Sequence, residues 1–246
     1  MDLALFKKIV DDASRIGVKM VRLWLLGEPM LHPRIVDMIG YVKQKGLRVR
    51  LTTNGMSFDS KRIEAILRSG VDSGDRVIFS VLGYSKEVHE RIMKGVDHSK
   101  VIKNIHDFIA LRKKHGHNGP VVETIFYVMP ENEMERQQFS TYWRSVVDHA
   151  RIGGISRQFA EFGNGTSSPR PVRKATCAHL WDRMIVFWNG DVPLCIGDVD
   201  GTYHLGNVRE RSLGEIWNCE ALMSLRKMHR KKGFGELPLC SSCDWY

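Results

Sequence analysis

The chain has 246 residues, 43% of them hydrophobic, and a formal net charge of +9. That is apolar material enough for one large domain or a domain with a satellite, and no uninterrupted apolar run approaches the roughly 20 residues of a membrane helix. The basic residues are thinly spread except for "RKMHRKK" at 226–232. No aromatic interleaving of the single-strand-binding kind accompanies that run, so it reads as a solvated helix face and not as a nucleic-acid footprint.

In chain order, "LALFKKIVDDASRIG" carries apolar residues at 3, 6, 9, 10, 13 and 16, which is one helical face. Lys7, Lys8, Asp11 and Asp12 interrupt it as a secretory signal, so a cytoplasmic protein is expected. "VRLWLL" then reads as a strand and "PRIVDMIGYVKQKG" as a helix stopped by Gly46. "LRVRLTT" is a strand, and "DSKRIEAILRSG" a helix closed by Gly70. "RVIFSVL", "VVETIFYVM" and "ISRQFAEF" are three more strands. The helices "SKEVHERIMK", "SKVIKNIHDFIALRKKHG" and "EMERQQFSTYWRSVVDHA" lie between them. Strands separated by helices imply parallel pairing through right-handed crossovers, as a barrel-like or an open sheet. The series begins on a helix, which predicts that a first strand is absent.

The composition shifts to Gly, Ser, Pro and basic residues at 163–174, a linker signal. Beyond it "MIVFWNGDVPLC" predicts a β-hairpin turned at Asn189-Gly190. "SLGEIWNCEALMSLRKMHRKKG" predicts one helix. All five cysteines fall in this last third, at 177, 195, 219, 240 and 243, and an odd count without a secretory signal argues against a disulfide framework. The closing C-x-x-C pair alone is a weak signal. With Cys177 and Cys195 as partners it would make a four-thiolate site for zinc or an iron–sulfur cluster, and spacing does not choose between them. Cys219, inside the helix pattern, reads as an unligated buried thiol.

Several stretches resemble one family. "LWLLGEPMLHP" resembles the Gly-Gly-Glu-Pro strand-end motif of radical S-adenosylmethionine enzymes, with Leu26 in place of the first glycine. "LTTNG" and "FSVLGYSKEVHERIMKG" resemble the ends of later strands in that family, and "CAHLWDRMIVFWNGDVPLC" with "HLGNVRERSLGEIW" resembles its SPASM and Twitch auxiliary-cluster extensions. The resemblance implies a partial (β/α)6 TIM-like barrel lacking its first strand over residues 1–165. It implies a small hairpin-plus-helix cluster domain over 166–246. Gly27, Glu28 and Pro29 would then bind the methionine moiety of S-adenosyl-L-methionine, Asn54 would sit at a ligand-collecting strand end, Ser80 would contact the ribose and Arg91 the cofactor carboxylate. Cys177, Cys195, Cys240 and Cys243 would hold a [4Fe–4S] auxiliary cluster with no open iron.

One departure is central. The family's C-x-x-x-C-x-x-C is absent, because no cysteine precedes 177. A catalytic [4Fe–4S] cluster needs three thiolates and one open iron, so the chain reads as N-terminally truncated and inactive alone, with the catalytic cluster only in the intact parent. The resemblance implies an oxidoreductase or maturase that abstracts hydrogen from a peptide or small-molecule substrate, served by a reductant such as flavodoxin or ferredoxin. A catalytically dead cofactor- or partner-binding homologue, and a zinc-stapled α/β protein, are the competing readings.

Overall fold

A computed structural model describes residues 1–116, 118–154, 176–241 and 243. The chain falls into two compact units, Gly17–Gly154 and Met1–Ile16 with Ile155–Tyr246. The expected boundary at 165, the linker at 163–174 and the strand "ISRQFAEF" lie outside the described residues. No helix is long and apolar enough to cross a membrane among the described residues.

Helix α1 (Leu3–Arg15) opens the chain, capped by Asp2, which accepts from the Leu5 amide at 2.8 Å. The unit of Gly17–Gly154 then alternates β1 (Met20–Leu23), α2 (Ile35–Gln44), β2 (Arg48–Thr53), α3 (Ser60–Leu67) and β3 (Arg76–Ser80). It continues through α4 (Lys86–Ile92), α5 (His98–Lys114), β4 (Val121–Val128), α6 (Arg136–Arg144) and β5 (His149–Gly154). All pairings are parallel and the strands lie side by side in chain order. This is the parallel α/β arrangement that the alternation implied, consistent with the partial TIM-like fold that the family resemblance implied.

Period-two alternation sorts the sheet into two faces. Val49, Leu51, Val77, Phe79, Val122 and Phe126 are buried on one of them. There Phe79 packs against Phe58 and Phe108 with ring centroids 5.2 and 6.2 Å away, and Phe126 against Phe139 at 4.7 Å. Burying each such ring contributes about 2–3 kcal/mol. The other face carries Arg50, Arg76, Glu123 and Arg151, as the register and their mutual contacts show. At the base of the sheet Asp75, 1% exposed, accepts from the amides of Val49 (2.6 Å) and Asp72 (2.8 Å) and pairs with Lys43 at 2.7 Å.

Some expected elements change. The strand "VRLWLL" ends at Leu23, because the backbone swings to φ 148° at Leu25 and 83° at Gly27. The helix expected over 133–150 stops at Arg144, and His149 and Ala150 join the sheet as the start of β5. Their amide and carbonyl groups find ladder partners on β4, which a helix end would leave to water.

In the other unit, α1 lies against the short helix Leu213–Trp217. Lys8 Nζ donates to the Val208 carbonyl at 2.6 Å and Arg209 pairs with Asp2 at 2.9 Å. The expected hairpin partners differently: β6 (Asp191–Pro193) pairs antiparallel with β7 (His204–Asn207), and the run before Asn189 forms no strand. Asn189-Gly190 is still a turn, closed by the Gly190 amide donating to the Phe187 carbonyl at 3.0 Å. Gly190 sits at φ 100°, where a Cβ would lie 2.7 Å from Asn207 Oδ1. The predicted single terminal helix is two, Leu213–Trp217 and Glu220–Arg230, broken at Asn218 and Cys219. The basic run is also not wholly solvated. Arg226 is 6% exposed, stacks on Trp217 at 4.2 Å and donates to the carbonyls of Leu180 and Trp217, both at 2.8 Å.

Replacing Asp75 with Ala leaves the Val49 and Asp72 amides without their acceptor and Lys43 with only the exposed Asp72 as partner, and is expected to cost about 2 kcal/mol. A urea titration of the variant should show a lowered midpoint with unchanged slope.

Candidate functional site

The loops after β1, β2 and β3 meet at the carboxyl ends of their strands, where ligands collect in parallel α/β folds. Glu28 is the anchor. Its Oε1 accepts from the Met30 amide (2.9 Å) and the Thr53 hydroxyl (2.7 Å), and its Oε2 from the Asn54 amide (2.6 Å). It is therefore a clasp between the loop after β1 and the end of β2. A carboxylate offers about four lone-pair directions, so capacity remains for one further donor. Pro29 starts a one-turn 3-10 helix, Pro29–Leu31, with its ring in the position where no amide is needed. Leu26, where the family motif has glycine, has no positive φ and is 60% exposed, so its side chain meets no backbone restriction; Gly27 keeps the left-handed φ.

Asn54 caps its own loop, Oδ1 accepting from the Met56 amide at 2.9 Å. Ser80 is the last residue of β3. Arg91, exposed on α4, donates to the Glu131 carbonyl at 3.0 Å in the loop after β4. All six residues expected at the cofactor thus lie at the carboxyl ends of the strands or in elements that touch those loops.

Four residues of this rim were not anticipated. Thr53 serves Glu28 directly. Glu135 accepts from the amides of Tyr84 (2.7 Å) and Ser85 (3.1 Å) and from the Ser85 hydroxyl. Asn132, 1% exposed, donates to the carbonyls of Leu82 and Tyr127, both at 2.9 Å, and so joins the ends of β3 and β4. His89, fully buried, accepts at Nδ1 from the Leu82 amide at 3.1 Å. A Cβ on Gly83 would lie 2.4 Å from the His89 amide nitrogen, so only glycine admits this approach.

In the other unit, Cys177, Cys195, Cys240 and Cys243 line one small pocket together with His179 and His229. None of the four is in a disulfide. Cys219, the cap of helix Glu220–Arg230, is half-buried and does not line it. Cys195 sits in a loop organised by Asp198, whose carboxylate accepts from the amides of Leu194 (3.1 Å), Thr202 (2.8 Å) and Tyr203 (3.0 Å). Burial pushes the Cys195 thiol up to about 11, against the amides of Gly197 and Asp198 and reinforced by the thiols of Cys177 and Cys243. His229 Nε2 lies 3.4 Å from Cys240 Sγ. Four soft donors gathered away from water suit a thiophilic cationic group, which would hold them as thiolates. Among the described residues no three such groups converge on a single-ion site.

Residues 1–141, more than half of the chain, match the family model of the radical SAM superfamily. The chain belongs to that superfamily. Residues 177–244 match the SPASM iron–sulfur cluster-binding domain. This radical SAM chain is 25% identical to a tungsten-containing aldehyde ferredoxin oxidoreductase cofactor-modifying protein of Pyrococcus furiosus, over 99% of this chain and 79% of that one. It is 23% identical to a PqqA peptide cyclase of Gluconobacter oxydans, over 99% of this chain and 74% of that one. Its fold is similar to the crystal structure of BtrN in complex with AdoMet and 2-DOIA, with TM-score 0.63, 19% identity and coverage of 99% and 80% of the two chains. Superfamily and domain carry S-adenosyl-L-methionine and [4Fe–4S] iron–sulfur chemistry with them.

His89 makes the rim of this radical SAM unit sensitive to acid. Burial, then the charge of neighbouring His98, depresses it to about 4 from 6.5. The neutral ring is the one that can accept from Leu82. In the unfolded chain it protonates below pH 6.5, so stability is full above that value and is lost as pH falls toward 4. Between pH 7 and pH 5 the loss from this group is about 2 kcal/mol. Urea midpoints at the two pH values should show that slope, flattened in His89→Gln.

Proposed function

We propose that this chain supplies the S-adenosyl-L-methionine-binding strand ends and the auxiliary-cluster unit of a radical SAM maturase that abstracts hydrogen from a peptide in the cytoplasm. The observation that carries the reading is the coincidence of two family matches with two built sites. The Glu28 clasp lies in the first match, and the four gathered cysteines in the second. The peptide-cyclase relative supports a peptide substrate.

Gly27, Glu28 and Pro29 would hold the methionyl end of the cofactor, with the spare capacity of Glu28 directed to its ammonium. Asn54 and Ser80 would meet its sugar side, and Arg91 would present its planar fork to the carboxylate. Cys177, Cys195, Cys240 and Cys243 would each bind one iron of a [4Fe–4S] cluster that relays electrons or sets a potential. When bound, these groups supply the one-electron chemistry that removes hydrogen from an unactivated carbon. Residues 1–176 contain no cysteine, so nothing there can hold a catalytic cluster by thiolates, and this chain alone should bind without turnover. Electrons would come from a small acidic donor of the flavodoxin or ferredoxin kind, for which a chain of charge +9 is a suitable partner.

Anaerobic reconstitution should give about four irons per chain and a broad band near about 400 nm. Cys240→Ala should lose both. A colourless protein with one zinc would favour the zinc-stapled reading instead. Calorimetry should detect S-adenosyl-L-methionine binding, weakened at least about tenfold, or 1.4 kcal/mol, in Glu28→Gln. No 5′-deoxyadenosine should form from this chain by itself. Well-folded protein that binds neither iron nor cofactor would sink the proposal.

A further inference from the structure

The face of the sheet away from the helices holds an arrangement that the cofactor and the cluster do not use. Glu123, 3% exposed at its side chain, lies among three guanidinium groups: Arg76 in contact, Arg151 at 3.5 Å and Arg50 at 3.6 Å. In register, Arg22 stands beside Arg50, and Arg50 beside Arg76. An open depression of about 590 Å³ lies over them, lined also by Arg144, Asp148 and His149.

The charges do not balance. Asp148 is already engaged by Arg112, bonded to both its oxygens, and by the Val122 amide at 2.7 Å. The Arg144 side chain, exposed at the end of α6, makes no hydrogen bond or ion pair among the described residues. Glu123 therefore stands alone against Arg50, Arg76, Arg144 and Arg151. Each guanidinium carries five donors, and one carboxylate accepts along about four directions. Burial, and then the crowding of Arg151, Arg22 and Arg76 against the pull of Glu123, makes the Arg50 cation harder to hold. A ligand bringing further oxyanions would relieve that crowding and use the idle donors.

We infer that this depression binds a polycarboxylate, an acidic segment of the peptide substrate, through Arg50, Arg76, Arg144 and Arg151. Glu123 shows the preference: the three guanidiniums nearest it are already arranged around a carboxylate. The register gives the distance. Arg76 opens β3 and Ser80 closes it, four residues on, which is about 13 Å at 3.3 Å per residue. A peptide anchored here by acidic side chains, and extended along the sheet, brings the residue about four positions away to the strand ends where Glu28, Asn54 and Ser80 gather. The inference rests on the proposed function only for the ligand being a substrate; the anion site itself does not.

The test is calorimetry on the anaerobically reconstituted chain, with propane-1,2,3-tricarboxylate, a Glu-Glu-Glu peptide and pyrophosphate as separate probes. The two carboxylate probes should bind with dissociation constants at or below about 1 mM and weaken steeply with salt. Arg144→Gln, which removes no hydrogen bond or ion pair among the described residues, and Arg151→Gln should each weaken them about five- to tenfold. No binding of either by folded protein, or binding untouched by both substitutions, overturns the inference. Pyrophosphate binding without carboxylate binding overturns the carboxylate assignment. Iron content and S-adenosyl-L-methionine affinity, read on the same sample, separate a failure here from a failure of the proposed function.

Discussion

The candidate cofactor rim depends on one carboxylate shared between two strand ends. Glu28 leaves the loop after β1 and takes its hydrogen bonds from Thr53 and Asn54 at the end of β2, while also capping the turn that leads into α2. It thereby ties the Gly27–Pro29 corner to the end of β2, beside the buried Met30. Leu25 and Gly27, both at positive φ, lie in the loop that carries this side chain. Asn132 and Glu135 repeat the device further along, tying the end of β3 to the loop after β4. A parallel sheet in simple chain order leaves every such loop at the same edge. The polar side chains then convert that edge from a set of separate turns into one rim.

Paired charge is distributed in a way that composition hides. Asp75 and Asp148 are fully engaged, by amides and by Lys43 or Arg112, and serve the sheet. Glu123 is outnumbered, and that imbalance is expensive unless something else answers it. The difference lies in which partners surround each acid and not in the acids themselves. The overall charge of +9 thus has at least one local concentration inside the fold. It lies on the sheet face, where the sequence shows only single arginines two or more positions apart.

The cysteine-bearing unit is built around polar organisers as well. It has one two-stranded ribbon and short helices, so its apolar content alone is modest. Asp198 gathers three amides beside Cys195, Arg226 ties two carbonyls and the Trp217 ring, and α1 closes over the helix Leu213–Trp217 through Lys8 and Asp12. A cluster bound by the four thiols would add cross-links between segments far apart in sequence, which is where closing a loop stabilises most.

Local pattern alone determined a good deal. The 3.6- and 2-residue periods of residues 3–129 specified helix and strand, and with them a parallel α/β fold, because helices between strands leave few other topologies. Glu28, Asn54, Ser80 and Arg91 were legible as candidates because their motifs are contiguous, and the four cysteines because thiols are scarce. Tertiary structure decided what needs partners distant in sequence. It took His149 and Ala150 from a helix into β5, since β4 offered them a ladder. It paired β6 with β7 and not with the run before Asn189, and it drew Arg226 and His229 inward from a run that reads as solvated. It also assembled the arginines of β2, β3 and β5 around Glu123. Register between strands is set by packing across the whole sheet, so no single segment of the chain contains that information.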